Sequence, residues 1–111
     1  MSHLTTHVLD ATTGTPAVNV VVSLARHLPG GAVEGVAQGF TDTDGRLALG
    51  PDALEPGMYA ITFGTGAWFE GRGIRSFYPL VTVTFTVSDT DRHLHVPLLL
   101  SPFAYSTYRG S

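Results

Sequence analysis

Val81-Thr82-Val83-Thr84-Phe85-Thr86-Val87 alternates without a break, with four apolar side chains at odd positions and three threonines at even ones. A period of two is the side-chain repeat of an extended strand, and β-branched and aromatic residues favour the pleated backbone. This segment is therefore a strand with one face toward a core and one toward water. Outward from it in both directions the chain breaks into short pieces. Turn residues recur at Thr12–Ala17, Leu28–Gly35, Asp42–Gly45, Gly50–Gly57, Gly64–Gly73, Ser88–Arg92 and Ser101-Pro102. What lies between them is rich in Val, Thr, Tyr, Phe and Leu and predicts eight strands, at about 3–10, 18–27, 35–42, 46–49, 57–64, 80–88, 93–100 and 104–109. Eight short strands at this spacing read as an all-β sandwich. Ala67-Trp68-Phe69-Glu70, set between glycines, is the one stretch that reads as a short helix, packing its aromatics over a sheet end.

The 111 residues form one domain, 1–111, with no internal repeat, low-complexity tract or linker. Charged residues are only 14% of the chain and hydrophobic ones 43%, a charge deficit that points to surface hidden in an oligomer. Val20-Val21-Val22 and Val96-Pro97-Leu98-Leu99-Leu100 are apolar on both strand faces, where a solvated sheet would alternate. A chain without covering helices hides such a face at a sandwich centre or against another copy of itself. Net charge is −3 and all six basic residues are arginines with no basic block, which argues against nucleic acid. No apolar run is long enough for a membrane span, and the first residues lack the apolar stretch of a signal peptide, so a cytoplasmic protein is expected. Zero cysteines exclude a disulfide framework, a thiolate metal site and a cysteine nucleophile.

Five histidines remain, and three of them, His7, His93 and His95, fall in predicted strands. His93 and His95 are two apart and share a face. Such a pair can hold and activate water, because imidazole titrates near neutrality. A solvated surface pair has the same spacing, and the residues themselves leave both readings open. A metal site is not expected: no H-E-x-x-H occurs and no carboxylate lies at ligand spacing beside the pair. Asp42-Thr43-Asp44-Gly45-Arg46 opens like a calcium loop but has Ala53 where a bidentate Glu is needed, so it reads as an Asp-Gly hairpin turn. Arg46, just past that turn, has a forked guanidinium suited to a planar oxygen- and nitrogen-rich group. There is no G-x-S-x-G, P-loop or G-x-G-x-x-G, which removes the common serine-hydrolase, NTPase and dinucleotide classes.

Taken together, Leu4-Thr5-Thr6-His7-Val8-Leu9-Asp10 with Gly14-Thr15-Pro16-Ala17, Thr41–Arg46, Phe77-Tyr78-Pro79, and His93–Pro102 running on to Tyr108-Arg109-Gly110-Ser111 resemble the transthyretin-like 5-hydroxyisourate hydrolases. The resemblance covers essentially the whole chain in order. It implies a transthyretin-like (prealbumin-like) two-sheet, eight-stranded sandwich with one short helix after the fifth strand. It implies hydrolysis of 5-hydroxyisourate to 2-oxo-4-hydroxy-4-carboxy-5-ureidoimidazoline in urate breakdown, without cofactor or metal. His7, Arg46, His95 and Ser111 are the implied catalytic residues, and Tyr108, Arg109 and Gly110 the implied substrate-shaping ones. The implied assembly is a homotetramer with sites at the dimer-dimer interface. The hormone-carrying transthyretins are the sister group. They lack the histidine pattern and the Tyr-Arg-Gly-Ser terminus, and a non-catalytic small-ligand carrier is the alternative reading.

Overall fold

The computed structural model describes residues 2–89 and 92–110. Its strands are β1 (Leu4–Asp10), β2 (Thr15–Pro16), β3 (Val21–His27), β4 (Val33–Phe40), β5 (Arg46–Leu49), β6 (Gly57–Phe63), β7 (Val81–Val87), β8 (Leu94–Ser101) and β9 (Ala104–Thr107), with one α-helix, α1 (Thr65–Gly71), after β6. Each of the eight predicted strands is present. The ninth, β2, is two residues long and lies inside the segment read as a turn, where Leu9 pairs with Pro16 and Asp10 with Thr15.

Two sheets face each other. One runs β4-β3-β6-β7; in the other, β1 lies between β8 and the pair β5 and β2, with β9 on the far side of β8. All pairings are antiparallel except β1 with β8, which is parallel and matches Leu4 to Leu94 through Asp10 to Leu100. The core fills the gap with Leu4 and Val8 of β1, Val22 and Leu24 of β3, Ile61 and Phe63 of β6, and Leu98 and Leu100 of β8. Each fully buried aliphatic or aromatic side chain contributes about 1.5–3 kcal/mol relative to leaving it in water, so the two inner faces hold the sheets together. In β7, Val81 and Val87 are buried, Val83 and Phe85 are partly buried, and Thr82, Thr84 and Thr86 are exposed, as the alternation requires.

The helix is longer than the four residues predicted but does what they implied. Trp68 and Phe69 are buried in the core cluster, and the Trp68 indole N–H donates to the Val18 carbonyl at 2.8 Å. The Arg72 guanidinium lies 4.5 Å from the Trp68 ring centre.

Asp42–Arg46 is a turn but not a hairpin. The strands it joins belong to different sheets: β4 pairs with β3, and β5 pairs with β1. An Asp-Gly signal reports only the local backbone, and the apolar faces on either side decide where the strands go. Gly45 has φ +75°, and a Cβ on it would collide with the Val8 carbonyl oxygen. That close approach lets the Val8 N–H donate to the Gly45 carbonyl at 2.7 Å, seating the turn on β1.

Gly45→Ala is therefore expected to cost about 1–3 kcal/mol from the left-handed backbone alone, with the collision adding to it. Urea denaturation checks this; an unchanged midpoint contradicts the close approach.

Candidate active site

The outer face of the sheet that contains β1 and β8 carries two rungs of side chains. On the first, Ala48, Thr5 and His95 lie across β5, β1 and β8, and His95 is bridged to Gly110. On the second, one pleat along, Arg46, His7 and Pro97 lie across the same strands. Side chains on adjacent rungs of one face are neighbours, so β1 brings His7, Arg46 and His95 together from positions up to 88 apart in the sequence. His93 lies just before β8 rather than in it. It still stacks on His95, with ring centres 6.5 Å apart and planes 16° from parallel.

Each member is held by a neighbour that can be named. Asp42 Oδ1 accepts from the backbone N–H groups of Asp44 at 2.9 Å and Arg46 at 3.0 Å. These bonds, with the Arg46 charge nearby, hold the Asp42 carboxyl below its ordinary pKa of 3.8. The turn so fixed presents the Asp44 carbonyl to His7 Nε2 at 2.9 Å. A carbonyl oxygen can only accept, so Nε2 of His7 carries the hydrogen and the neutral ring keeps its lone pair on Nδ1. His95 Nδ1 lies 2.8 Å from the Thr5 hydroxyl, which is also 3.1 Å from His93 Nε2. Burial pushes the half-buried His95 imidazole below 6.5, and the positive charges of Arg46, His7 and His93 push the same way, while the Thr5 main chain opposes them.

The C-terminal segment returns to this site in the register of β8 and β9, past a break at Pro97. The β8–β9 ladder pairs Leu98 with Thr107, and the same register continued would pair Pro97 with Tyr108 and His95 with Gly110. Proline has no N–H to donate. The ladder stops there, the Thr107 hydroxyl takes the Pro97 carbonyl at 2.7 Å, and pairing resumes where the Gly110 N–H donates to the His95 carbonyl at 2.8 Å. Any Cβ on Gly110 would collide with the His95 ring. Tyr108 is 59% exposed, and with Arg109 and His95 it borders a cavity of about 250 Å³ whose inner wall is Val83, Phe85 and Val96. A larger hollow of about 550 Å³, between α1 and the loop before β7, is lined by none of these residues.

Of the residues expected from sequence, His7, Arg46, His95 and Gly110 thus converge, Tyr108 and Arg109 flank His95, and Ser111 lies outside the described residues. Thr5, Asp42, the Asp44 carbonyl and Pro97 support the site and were not among the expected residues. Thr5 alone carried a signal, being two residues before His7 and so on the same strand face. Among the described residues no three His, Asp or Glu side chains are disposed to hold a metal ion. Of the other histidines, His3 is buried, accepting the Leu54 N–H at 2.8 Å.

A family model described as the HIUase/transthyretin family matches residues 4–110. The chain belongs to that family. It is 46% identical over 110 residues to the 5-hydroxyisourate hydrolase of Salmonella typhimurium, covering 97% of this chain and 80% of that one. The mouse 5-hydroxyisourate hydrolase is 43% identical over 113 residues, covering 99% and 96%. Among solved structures, Klebsiella pneumoniae 5-hydroxyisourate hydrolase superposes with a TM-score of 0.87 at 43% identity over the whole of both chains. Sea bream transthyretin in complex with thyroxine superposes with 0.91 at 31% identity, covering 97% and 94%. The family backbone therefore does not separate a hydrolase from a carrier. Sequence identity is higher to the hydrolases.

The close packing of Gly110 on His95 makes position 110 a sensitive probe. Gly110→Ala is expected to displace the imidazole and lower turnover roughly 10²-fold, the loss that follows a misplacement of about 1 Å. Thermal unfolding should barely change, because Gly110 lies outside the core. Full turnover with alanine at 110 contradicts the packing.

Proposed function

We propose that this protein hydrolyses 5-hydroxyisourate to 2-oxo-4-hydroxy-4-carboxy-5-ureidoimidazoline, using His7, Arg46, His95 and Ser111, with Tyr108, Arg109 and Gly110 shaping the substrate site. The observation that carries this reading is the pair of rungs on one sheet face, where two imidazoles and a guanidinium converge beside the C-terminal segment. Ring opening needs a water deprotonated near neutral pH and a donor for the oxygen that becomes negative. His7 suits the first role, since its Nδ1 keeps the lone pair while Nε2–H is tied to Asp44. Arg46 suits the second, and its planar fork also matches a flat, oxygenated ring. Water oxygen bonds to the lactam carbon, the ring C–N bond breaks, the nitrogen takes a proton, and a carboxylate is left. Neutral His95 orients the water or hands the nitrogen its proton. In this reading Ser111 contributes its hydroxyl.

The assembly in this proposal is a homotetramer with sites at the dimer-dimer interface. Its support is the exposed apolar surface of the single chain: Phe77, Leu80, Phe103 and Tyr108 are each more than half exposed, and the outer edges of β7 and β9 have no strand beside them. Sedimentation at micromolar concentration should give about four times the 11.8 kDa chain mass. A monomer overturns the assembly.

The deciding measurement is the ultraviolet absorbance of freshly made 5-hydroxyisourate, which should disappear faster with enzyme than by spontaneous decay. Stable binding without acceleration is the carrier's result and overturns the reading. Exhaustive chelation should leave the rate unchanged. His7→Ala or His95→Ala should lower kcat by roughly 10²–10⁴ with KM little altered, as loss of a positioned acid or base does. Arg46→Lys keeps the charge but loses the fork, so KM and kcat both suffer.

The pH dependence follows from His95. Its folded pKa lies below 6.5, so the neutral ring persists below the pH at which a free histidine is half charged. Below 6.5 the unfolded chain binds a proton that the folded chain refuses, so stability falls as pH drops through that window and levels off once the folded ring also titrates. An NMR titration of His95 should have its midpoint under 6.5, and a midpoint above it contradicts the burial argument.

A further inference from the structure

We propose that Thr5 is a positioning residue for this reaction: its hydroxyl, held between His95 Nδ1 and His93 Nε2, sets which ring nitrogen of His95 carries the proton and makes that choice follow the state of His93. The inference rests on the hydrolytic reading for its kinetic consequence, while the hydrogen-bond argument stands on geometry. A hydroxyl has one hydrogen to give. With imidazole nitrogens at 2.8 and 3.1 Å, at most one can accept the Thr5 hydrogen, so at least one must donate to the Thr5 oxygen. The two nitrogens are therefore coupled: a lone pair on His93 Nε2 requires a hydrogen on His95 Nδ1, and a hydrogen on His93 Nε2 frees the Thr5 hydrogen for His95.

His93 is the exposed ring and His95 the half-buried one. A charged His93 has hydrogens on both nitrogens and can only donate to Thr5. The Thr5 hydrogen is then free to go to His95 Nδ1, and a neutral His95 that accepts it holds its own hydrogen on Nε2. In that form His95 is a donor, complementary to His7, whose Nδ1 lone pair makes it an acceptor. One base and one acid on adjacent rungs is the division that ring opening needs. Burial, and then the charges of Arg46 from β5, His7 from β1 and His93 itself, favour a neutral His95. Asp42 is the acid in this group, and its charge is directed to the turn and to Arg46 and His7.

Thr5→Val keeps the β-branched shape on β1 and removes the hydroxyl, and Thr5→Ser keeps the hydroxyl. The readouts are the imidazole ¹⁵N shifts of His95 across a pH titration, together with kcat and KM. In the native protein, His95 Nδ1 should read as an acceptor and Nε2 as protonated once His93 is charged. In Thr5→Val the His95 tautomer should no longer respond to His93, with kcat lower by about 10–100-fold, the loss typical when a partner orienting a functional histidine is removed, and KM nearly unchanged. Thr5→Ser should restore both. The proposal is overturned if the His95 shifts in Thr5→Val match the native ones, whatever the activity, or if serine is as poor as valine, which would assign the effect to the lost methyl. A native protein that leaves 5-hydroxyisourate untouched fails the hydrolytic reading, and the ¹⁵N titration still decides the Thr5 coupling.

Discussion

The parallel pairing of β1 with β8 is the constraint on which the rest of the molecule depends. It joins the beginning of the chain to its end, and every other ladder in the sandwich is antiparallel. Parallel strands cannot be joined by a tight turn, so the intervening segments must be disposed around this pair before it can close. Its register places Thr5 level with His95 and His7 level with Pro97. A slip of one residue would set the core face of one strand level with the outer face of the other, turning either Leu4 and Val8 or Leu98 and Leu100 out of the core. The energy that positions the face carrying the candidate site is thus the burial energy of the opposite face. The polar residues of the site need not hold themselves together.

Pro97 shows how one covalent fact propagates to function. Its missing N–H breaks the ladder at the level of His7, and the chain departs as Tyr108 and Arg109 before rejoining at Gly110. Without the break, β9 would run on as regular edge strand. Tyr108 and Arg109 would take ordinary ladder positions rather than bordering a cavity beside His95. The same residue at an exposed loop would have had no such consequence, so its meaning lies in its register against β1.

Much of the fold was legible because the deciding signals are local. The Val81–Val87 alternation, the glycine and proline punctuation, and the aromatic pair of α1 each depend on neighbours in sequence. What escaped were effects of distant chain. The two-residue β2 exists only because Asp10 and Thr15 are brought level by the turn between them. The Asp44-Gly45 turn looks like a hairpin locally and is a sheet-to-sheet crossing globally, since the apolar faces of β4 and β5 are claimed by different partners. The site divides the same way. His7, Arg46 and His95 stand out because their side chains are chemically distinctive. Thr5 and Asp42 do not, since threonine is common in strands and aspartate in turns, and their roles arise only when pairing puts a hydroxyl between two imidazoles and a carboxylate under two amides.

The backbone agrees slightly better with a thyroxine-complexed transthyretin than with a hydrolase, at TM-scores of 0.91 and 0.87, while identity favours the hydrolase at 43% against 31%. These observations concern different layers of the molecule. Superposition reports the two packed sheets, which any sequence with the same inner-face pattern can build. Chemistry is written on the outer face of one sheet, where a side chain can change without moving the backbone. The frame alone leaves the activity open, and here the two rungs hold two imidazoles and a guanidinium. In the proposed reaction, an imidazole whose one hydrogen is committed to a backbone carbonyl offers water a basic lone pair. A pocket that activates water needs that arrangement. The proposed activity therefore rests on these side chains rather than on the fold.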